Sequence, residues 1–345
     1  CVRYRYFWRM KDWKEVKSQI EKSKHTVILS HRSPDGDSVG SSLALYHFLK
    51  NFIGEVQVIT PDPAPKFLAW LDGFDSIINN QDGQELVDQQ LLKADLICCL
   101  DFNTPGRMGD LEKAFNLNKE AYIINIDHHQ DPDDFADFQL SETTASSTCQ
   151  LIFDFISELK GMDKLTVELA EAIYTGIVTD TGSFRYSNTS KHTHNVVAEL
   201  IAVGINPGQI HENIYNNYSV DRLKLLGFAL NERFNIYEKY KAAIIFLSEQ
   251  DLQRFNFQKG DTEGLVNYPL SVATVKIAIL ITEKDGKVKM SFRSKGNFRV
   301  NEVSAKYFSG GGHYNAAGGI SDVGVLETVK KLETIFPEYE AELNA

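Results

Sequence analysis

The sequence has few cysteines, and none of them form a closely spaced motif. Its 345 residues contain four, Cys1, Cys98, Cys99 and Cys149, with no CxxC pair. Cys98 and Cys99 are adjacent inside an apolar run, so they point to opposite faces of the predicted strand, and we expect reduced core residues. We therefore expect no disulfide framework, and the sequence lacks the CxxC pair that a zinc site built from paired thiolates uses.

Long apolar runs are also missing. None approaches the roughly 18–20 residues that a membrane span needs. Residues 1–10 lack the apolar region and the cleavage site of a signal peptide. We interpret them as a leader without a targeting function, with Met10 as a candidate for the physiological first residue. We therefore expect a cytoplasmic protein with no membrane partner.

Positive charge is scarce. The chain has 36 Lys and Arg against 47 Asp and Glu, which gives a formal net charge of -11. A protein that binds long duplex nucleic acid needs a basic face, so that class is disfavoured. A small phosphorylated ligand remains compatible, because bound metal ions can supply positive charge locally. The length predicts two domains, and a hydrophobic content of 43% is ample for their cores.

What the sequence does have is a row of metal-capable side chains, Asp127-His128-His129. The row directly follows the apolar run 121–126. Open α/β sheets place their ligands at the carboxyl ends of such strands. A polar turn that closes a strand is the alternative interpretation, and the motif alone leaves it open.

Three other apolar segments end in the same kinds of side chain. The run 25–30 leads into His31, Asp35 and Asp37, the run 94–100 leads into Asp101, and the segment 172–179 leads into Asp180. Mixed imidazole and carboxylate ligands suit a divalent ion such as Mn²⁺ better than a thiolate-bound Zn²⁺. Four such segments together favour a metal site.

Short β-branched runs alternate with helical patterns between residues 26 and 180, which indicates a parallel sheet. Strands are predicted at 26–30, 56–60, 96–100 and 122–126. Two helices, 193–203 and 219–235, then precede strands at 241–247, 272–282 and 288–293, the last two joined by an Asp-Gly hairpin turn. We predict a metal-binding domain at 10–190, a helical linker at 191–235 and a smaller α+β domain at 236–345.

The second predicted domain contains a run of glycines before a histidine, Gly310-Gly311-Gly312-His313. Such a run can form a concave turn whose backbone N–H groups bind phosphate oxygens, although a plain flexible loop is the alternative. Upstream lies Arg293-Ser294. Arg107, shortly after Asp101, is a candidate phosphate ligand, with a surface arginine as the equal alternative.

Taken together, these segments resemble the DHH phosphoesterase superfamily with its DHH-associated C-terminal domain. The motifs that carry the resemblance are His31-x-x-x-Asp35-x-Asp37, Asp101, Asp127-His128-His129, Asp180 and Gly310-Gly311-Gly312-His313. The chain is most similar to the bacterial nanoRNase group, oligoribonucleases that also act on 3′-phosphoadenosine 5′-phosphate. The resemblance implies an α/β fold, in which a parallel-sheet domain is joined by a helical linker to a smaller α+β domain, with the active site in the cleft between them.

The resemblance also implies a role for each motif residue. His31, Asp35 and Asp101 would hold one divalent ion, and Asp37, Asp101, His128 and Asp180 a second, with Asp101 bridging. The ions would be Mn²⁺, with Mg²⁺ or Co²⁺ as alternatives. Asp127 would orient an imidazole, and His129 would contact the scissile phosphate or protonate the leaving oxygen. Substrate would be bound by Arg107, Arg293, Ser294, Gly310, Gly311, Gly312 and His313.

The implied function is hydrolysis of short oligoribonucleotides to mononucleotides and of 3′-phosphoadenosine 5′-phosphate to AMP. Hydrolysis of pyrophosphate, short polyphosphate or linear dinucleotides is the enzymatic alternative. A metal-bound nucleotide sensor without chemistry is a third interpretation, disfavoured by the complete set of ligands. Whether the chain forms a homodimer is left open.

Overall fold

The computed structural model describes residues 12–216 and 218–344. The candidate start at Met10 lies outside these residues. The chain divides into two compact units, and the second begins at Tyr218. Among the helices of the described ranges, none combines the length and the apolar character that a membrane span requires.

Strands and helices alternate through most of the first unit. Its elements in residues 12–216 are α1 (Trp13–Lys22), β1 (His25–Leu29), α2 (Gly36–Leu49), β2 (Glu55–Thr60), β3 (Ile78–Asn79), α3 (Gln84–Lys93), β4 (Leu96–Leu100), α4 (Leu111–Leu117), β5 (Tyr122–Asp127), β6 (Phe138–Ser141), α5 (Thr148–Glu158), α6 (Val167–Asp180), α7 (Lys191–Val203) and α8 (Pro207–Tyr215). Short 3-10 helices join several of them, including Pro105–Met108 after β4. The four strands predicted from sequence are confirmed to within about one residue at each end.

The strands of the first unit form one parallel sheet in the order β3-β2-β1-β4-β5-β6. From β1 the chain moves outward to β2 and β3, and then returns to place β4 on the other side of β1. The boundary between β1 and β4 is therefore a topological switch point, where the loops at the carboxyl ends diverge and leave a crevice. His31 follows β1 and Asp101 follows β4, so the topology brings them together.

Apolar residues cover both faces of this sheet, which explains the continuous apolar strands. On one face α2, α5 and α6 pack closely, because small residues lie where they touch. A Cβ atom at Gly40 of α2 would come within 2.6 Å of the Ala172 carbonyl oxygen of α6, and one at Gly176 would overlap the Cys149 sulfur of α5. This close packing brings the start of α2, the start of α5 and the end of α6 together.

The second unit is built on a mixed sheet. Its elements in residues 218–344 are α9 (Val220–Glu232), β7 (Phe234–Tyr237), β8 (Ala242–Leu247), α10 (Glu249–Arg254), β9 (Ile277–Lys284), β10 (Lys287–Ser294), α11 (Val300–Tyr307), β11 (Gly311–His313), β12 (Ala316–Ser321), α12 (Val325–Ile335) and α13 (Glu340–Asn344). The sheet order is β11-β12-β10-β9-β8-β7, with β8 and β9 parallel and the other neighbours antiparallel. The predicted fold class, a parallel-sheet domain followed by a smaller α+β domain, is confirmed.

Two details of the predicted second unit can be compared with the structure. The hairpin is confirmed, since Asp285 and Gly286 both have positive φ angles, 52° and 69°, as the tight turn requires. The strand predicted at 272–282 was wrong at its start, because Pro269–Ser271 forms a 3-10 helix and the strand begins at Ile277.

The helices of residues 191–235, predicted as a linker, pack on different cores. Apolar residues of α7 and α8 join the core of the first unit. Leu225 and Ala229 of α9 are buried in a core of the second unit. The predicted limits of the domains stay a prediction.

Candidate metal centre

Histidine and aspartate side chains gather at the carboxyl edge of the parallel sheet. His31 follows β1, Asp101 follows β4, Asp127 ends β5 and His128 and His129 come next. Helices supply the other members, with Asp35 and Asp37 at the start of α2 and Asp180 at the end of α6. The structure thus gathers the sequence-predicted metal ligands around one edge of one sheet.

The first metal-capable group consists of His31, Asp35 and Asp101, whose potential ligand atoms all lie within 4.8 Å of one another. The Nε2 atom of His31 is 3.3 Å from Oδ2 of Asp101. On the other side of the ring, Nδ1–H donates to the Arg32 carbonyl oxygen at 2.7 Å. This bond fixes the tautomer and leaves the Nε2 lone pair for a metal ion.

Burial also favours a neutral ring at His31. It lowers the pKa of His31, more than Asp35 and the Arg32 carbonyl raise it, and the charge of Arg107 lowers it further. A neutral imidazole is the form that binds metal ions.

The second group consists of Asp37, Asp101 and His128, again within 4.8 Å. The Nε2 atom of His128 lies 3.8 Å from Asp37 Oδ2, 3.7 Å from Asp101 Oδ1 and 3.6 Å from Asp180 Oδ2. Its Nδ1–H donates to the Ala145 carbonyl oxygen at 3.4 Å. Burial lowers the pKa of His128, but Asp180, Asp37 and Asp127 outweigh it and raise the pKa overall. The carboxylates around this ring therefore favour positive charge at this position.

Asp101 belongs to both groups, and its two carboxylate oxygens face different partners. Oδ2 is the oxygen near His31, and Oδ1 is the oxygen near His128. The residue is 2% exposed, and its backbone is left-handed with a φ of 64°. Burial, followed by the charges of Asp37 and Asp35, holds the pKa of Asp101 well above its usual value.

The negative charge of the cluster fits divalent cations. Among the described residues, no lysine or arginine lies within ion-pair distance of Asp35, Asp37 or Asp101. Asp37 and Asp101 are buried, and buried carboxylates that lack a cationic partner are costly unless bound cations compensate them. Oxygen and imidazole donors together suit Mn²⁺ and related ions. The residues present therefore fit the divalent metal ions that are expected from the sequence.

His129 has a separate partner. Its Nδ1–H donates to Oδ1 of the fully buried Asp127 at 2.7 Å, and Nδ1 is 3.8 Å from Asp101 Oδ1. The bond to Asp127 leaves the Nε2 atom of His129 as the one that can exchange a proton with a substrate.

Arg107 lies close to the first group. It is exposed in the 3-10 helix Pro105–Met108, and its carbonyl oxygen accepts the Arg32 N–H at 2.9 Å. The positive charge of its guanidinium is among the groups that lower the pKa of His31, after burial. The backbone bond holds Arg107 next to Arg32, the residue that follows His31.

The other predicted substrate residues lie in the second unit. Arg293 and Ser294 are at the end of β10, and Nη1 of Arg293 donates to the Phe292 carbonyl oxygen at 3.0 Å. The Ser294 hydroxyl donates to the Phe298 carbonyl oxygen at 2.6 Å and accepts from Asn315 Nδ2 at 2.8 Å. The Ser294 hydroxyl thus already stabilises a loop.

The glycine run has a different conformation from the one predicted. Gly311–His313 form the edge strand β11 and pair with β12, so the predicted concave turn was wrong. A Cβ atom at Gly310 would overlap the Gly318 carbonyl oxygen and the Ser304 hydroxyl, whereas one at Gly311 would meet open space. At Gly310 glycine is therefore required for strand packing. His313 is half-buried at the end of β11.

Two residues that support the cluster were missed from sequence. Thr148 contacts both Asp37 and Asp101 from the start of α5. The buried amide of Asn125 donates to the carbonyl oxygens of Cys99 and Phe102 on either side of Asp101, at 3.1 and 3.0 Å. A polar Asn125 inside an apolar strand was the one available signal, because buried amides need hydrogen-bond partners.

Each of the two units matches a known protein family domain. The N-terminal domain of the DHH family matches residues 25–177, and the DHHA1 domain matches residues 238–338. The fold, the cluster and these matches together define a hydrolytic phosphoesterase.

Relatives match nearly the whole chain. A probable bifunctional oligoribonuclease and PAP phosphatase NrnA from Streptococcus mutans is 30% identical over 312 residues, 90% of this chain and 93% of its own length. The bifunctional oligoribonuclease and PAP phosphatase NrnA of Bacillus subtilis is 29% identical over 85% of this chain and 88% of its own length. The chain belongs to the DHH family, which confirms the resemblance inferred from sequence.

A solved structure agrees with the fold. The crystal structure of an exopolyphosphatase-related protein from Bacteroides fragilis superposes with a TM-score of 0.93 at 38% identity. The match covers 96% of this chain and 97% of the other. Both units of the fold are therefore found in a known protein.

Proposed function

We propose that this protein hydrolyses short oligoribonucleotides to mononucleotides and 3′-phosphoadenosine 5′-phosphate to AMP. The observation that carries the proposal is the position of Asp101, which belongs to both the His31 group and the His128 group of potential ligands, with Oδ2 toward His31 and Oδ1 toward His128. A shared carboxylate is the feature that a two-metal phosphoesterase needs. The names of the Streptococcus and Bacillus relatives support the choice of substrates.

In this proposal His31, Asp35 and Asp101 hold one ion, and Asp37, Asp101, His128 and Asp180 hold the other. Mn²⁺ is the proposed metal because of the mixed donors, with Mg²⁺ or Co²⁺ as alternatives. When bound, the two ions supply a water of lowered pKa and positive charge for the phosphoryl oxygens.

The residues of the chain have their own tasks. Asp127 holds the Nδ1–H of His129 and so keeps its Nε2 atom for the substrate. We assign to His129 the contact with the scissile phosphate or, when both ring nitrogens carry a proton, the transfer of its Nε2 proton to the leaving oxygen. A histidine that transfers a proton in this way typically raises the reaction rate by about 10²–10⁴-fold.

Substrate capture is assigned to residues outside the metal groups. Arg107 would bind a phosphate beside the first group. The terminal phosphate and the end nucleotide would be held by Arg293, Ser294, Gly310, Gly311, Gly312 and His313. With a net charge of -11, the chain offers little attraction to a long polyanion. This charge supports a preference for short substrates over long duplex nucleic acid.

A substrate panel tests the proposal. An RNA dinucleotide, a labelled RNA trimer, adenosine bisphosphate and pyrophosphate are incubated with the enzyme and Mn²⁺, and again with excess chelator. We expect mononucleotides from the RNAs and AMP from the bisphosphate, with no product in chelator. The same panel is run on Asp101→Asn, which removes the shared carboxylate. Its control is Asp75→Asn, which removes an exposed carboxylate away from the cluster. Full turnover by Asp101→Asn would contradict the two-metal assignment.

A phosphoanhydride hydrolase is the second candidate, because the Bacteroides structure is described as exopolyphosphatase-related. The same panel separates the two. Faster release of phosphate from pyrophosphate or tripolyphosphate than of AMP from the bisphosphate would favour this candidate over the nuclease.

The cellular location belongs to the same proposal. Cys98, Cys99 and Cys149 are free and buried, and burial raises the pKa of the Cys98 thiol to about 12. Buried, protonated thiols suit the reducing cytoplasm that we propose.

A further inference from the structure

Thr148 is the first residue of α5, and it contacts the metal-capable cluster through two donors. Its hydroxyl donates to Asp101 Oδ1 at 2.9 Å, and its backbone N–H donates to Asp37 Oδ2 at 2.7 Å. The next backbone N–H, from Cys149, donates to Asp37 Oδ1 at 2.9 Å. Thr148 is fully buried.

The hydroxyl of Thr148 has no part in capping its own helix. The residue before it, Ser147, performs that task by accepting the Gln150 N–H at 3.1 Å. The Thr148 hydroxyl bonds instead to a carboxylate 47 residues earlier in the chain. Removing it should therefore leave the start of α5 intact.

The contact is with one oxygen of Asp101 and not the other. Oδ1, which accepts from Thr148, is the oxygen 3.7 Å from His128, whereas Oδ2 lies near His31. A carboxylate oxygen has two lone-pair directions. With one occupied by the Thr148 hydroxyl, the other is fixed in direction, on the oxygen that lies toward His128 and away from His31. The Nδ1 atom of His129 is 3.8 Å from the same oxygen.

We propose that Thr148 is a positioning residue that sets the affinity of one of the two metal positions, the one formed by Asp37, Asp101 and His128. The other position, formed by His31, Asp35 and Asp101, does not depend on it. The inference rests on the proposed two-metal function and adds to it a residue that makes the two positions unequal.

The test uses the full chain and calorimetric titration with Mn²⁺ in the absence of substrate. Thr148→Val keeps the shape of the side chain and the backbone donor but lacks the hydroxyl. We expect one of two binding events to weaken by about 10–100-fold, the usual effect of removing a hydrogen bond to a metal ligand. Thr148→Ser, which restores the hydroxyl, should bind both ions as the unchanged protein does.

A matched control is available in α6. Thr175 is also fully buried, and its hydroxyl donates within its own helix to the Glu171 carbonyl oxygen at 2.8 Å. Thr175→Val should leave both binding events unchanged. Thr148→Ala is a second hydroxyl-free variant, used if the valine variant fails to fold as judged by its melting curve.

Two altered backgrounds identify the affected position. In Asp37→Asn, which damages the second group, adding Thr148→Val should have no further effect on the remaining ion. In His31→Ala, which damages the first group, it should still weaken the remaining ion. Equal weakening of both ions, or no weakening in folded Thr148→Val and Thr148→Ala, overturns the inference. Two ions bound by the unchanged protein without hydrolysis of any substrate would instead count against the proposed function alone.

Discussion

Replacing Asp101 by asparagine should stabilise the metal-free protein and destabilise the metal-loaded one. The reason is that Asp101 is buried beside the carboxylates of Asp37 and Asp35, and bound cations would compensate the repulsion between them. Asparagine has nearly the same shape, keeps an oxygen for the Thr148 hydroxyl, and accepts the left-handed backbone at φ 64°. Charge is therefore almost the sole property that changes.

The size of the effect follows from the geometry. Potential ligand atoms of Asp37 and Asp101 lie within 4.8 Å, and two charges at that distance repel by about 3.5 kcal/mol at an effective dielectric constant of 20. The Thr148 hydroxyl and the raised pKa of His128 offset part of this cost. We expect a net gain of about 1–3 kcal/mol for the metal-free variant, in the range found for buried groups that lack compensation. For a unit of this size the gain raises Tm by about 2–12 °C.

The gain should depend on pH in a defined direction. Burial, and then Asp37 and Asp35, hold the folded-state pKa of Asp101 well above the ordinary 3.8. As pH falls through that raised pKa, Asp101 in the unchanged protein takes up a proton and the repulsion disappears. The advantage of Asp101→Asn is therefore largest above the folded-state pKa and shrinks as pH approaches the ordinary aspartate range.

The assay is thermal unfolding followed by circular dichroism, with chelator and with Mn²⁺, at several pH values. Each ion at about 100 times its Kd adds about 2.7 kcal/mol to the unchanged protein, so the order of the two melting temperatures should reverse on adding metal. Asp75→Asn is the control and should track the unchanged protein throughout. An Asp101→Asn variant that melts lower in chelator, or gains as much from Mn²⁺ as the unchanged protein, would refute the reasoning.

Three further predictions concern the substrate and the second unit. Arg293→Ala should raise KM for adenosine bisphosphate about tenfold or more and leave Mn²⁺ titrations unchanged, because the predicted metal ligands lie in the first unit; loss of an ion on calorimetry would contradict this. Catalytic efficiency on 5′-labelled RNAs should peak at about two to four nucleotides and fall for a 20-mer, and it should depend only weakly on salt concentration. An efficiency that rises with RNA length and falls steeply with salt would indicate an unrecognised basic groove. Gly310→Ala should destabilise the second unit by about 1–3 kcal/mol, because the new Cβ would overlap Gly318 and Ser304, whereas Gly311→Ala should melt unchanged.

Much of the first unit could be predicted from sequence because its information is local. The four strands predicted from sequence are apolar runs, and three of them lead into His31, Asp101 and Asp127, polar side chains that need polar or metal partners when buried. In a parallel sheet the ends of such strands meet at one edge, so the sequence predicts that His31, Asp101 and His128 are neighbours. The hairpin at Asp285 and Gly286 was predictable for the same reason, since a tight turn is fixed by its own residues.

The glycine run shows where local information ends. Three glycines fit a turn and an edge strand equally well, because glycine restricts the backbone so little. The pairing of Gly311 and Gly312 with Gly318 and Ala317 decided for the strand. The start of β9 also differs from the local prediction. The β-branched residues from 272 onward favour a strand, but the 3-10 helix Pro269–Ser271 precedes them and the strand begins only at Ile277.

The metal centre depends most on tertiary structure. The residue types and their order were readable from sequence, but Thr148 meets Asp37 across 111 residues of chain. Which oxygen of Asp101 faces which histidine depends on how the ends of β1, β4 and β5 lie beside one another in the sheet. Sequence alone specifies which groups can donate, accept or bind a metal ion, because that is a property of each side chain. Only the packed fold specifies which of them meet, because hydrogen bonds and metal ligation require distances that distant segments must set together.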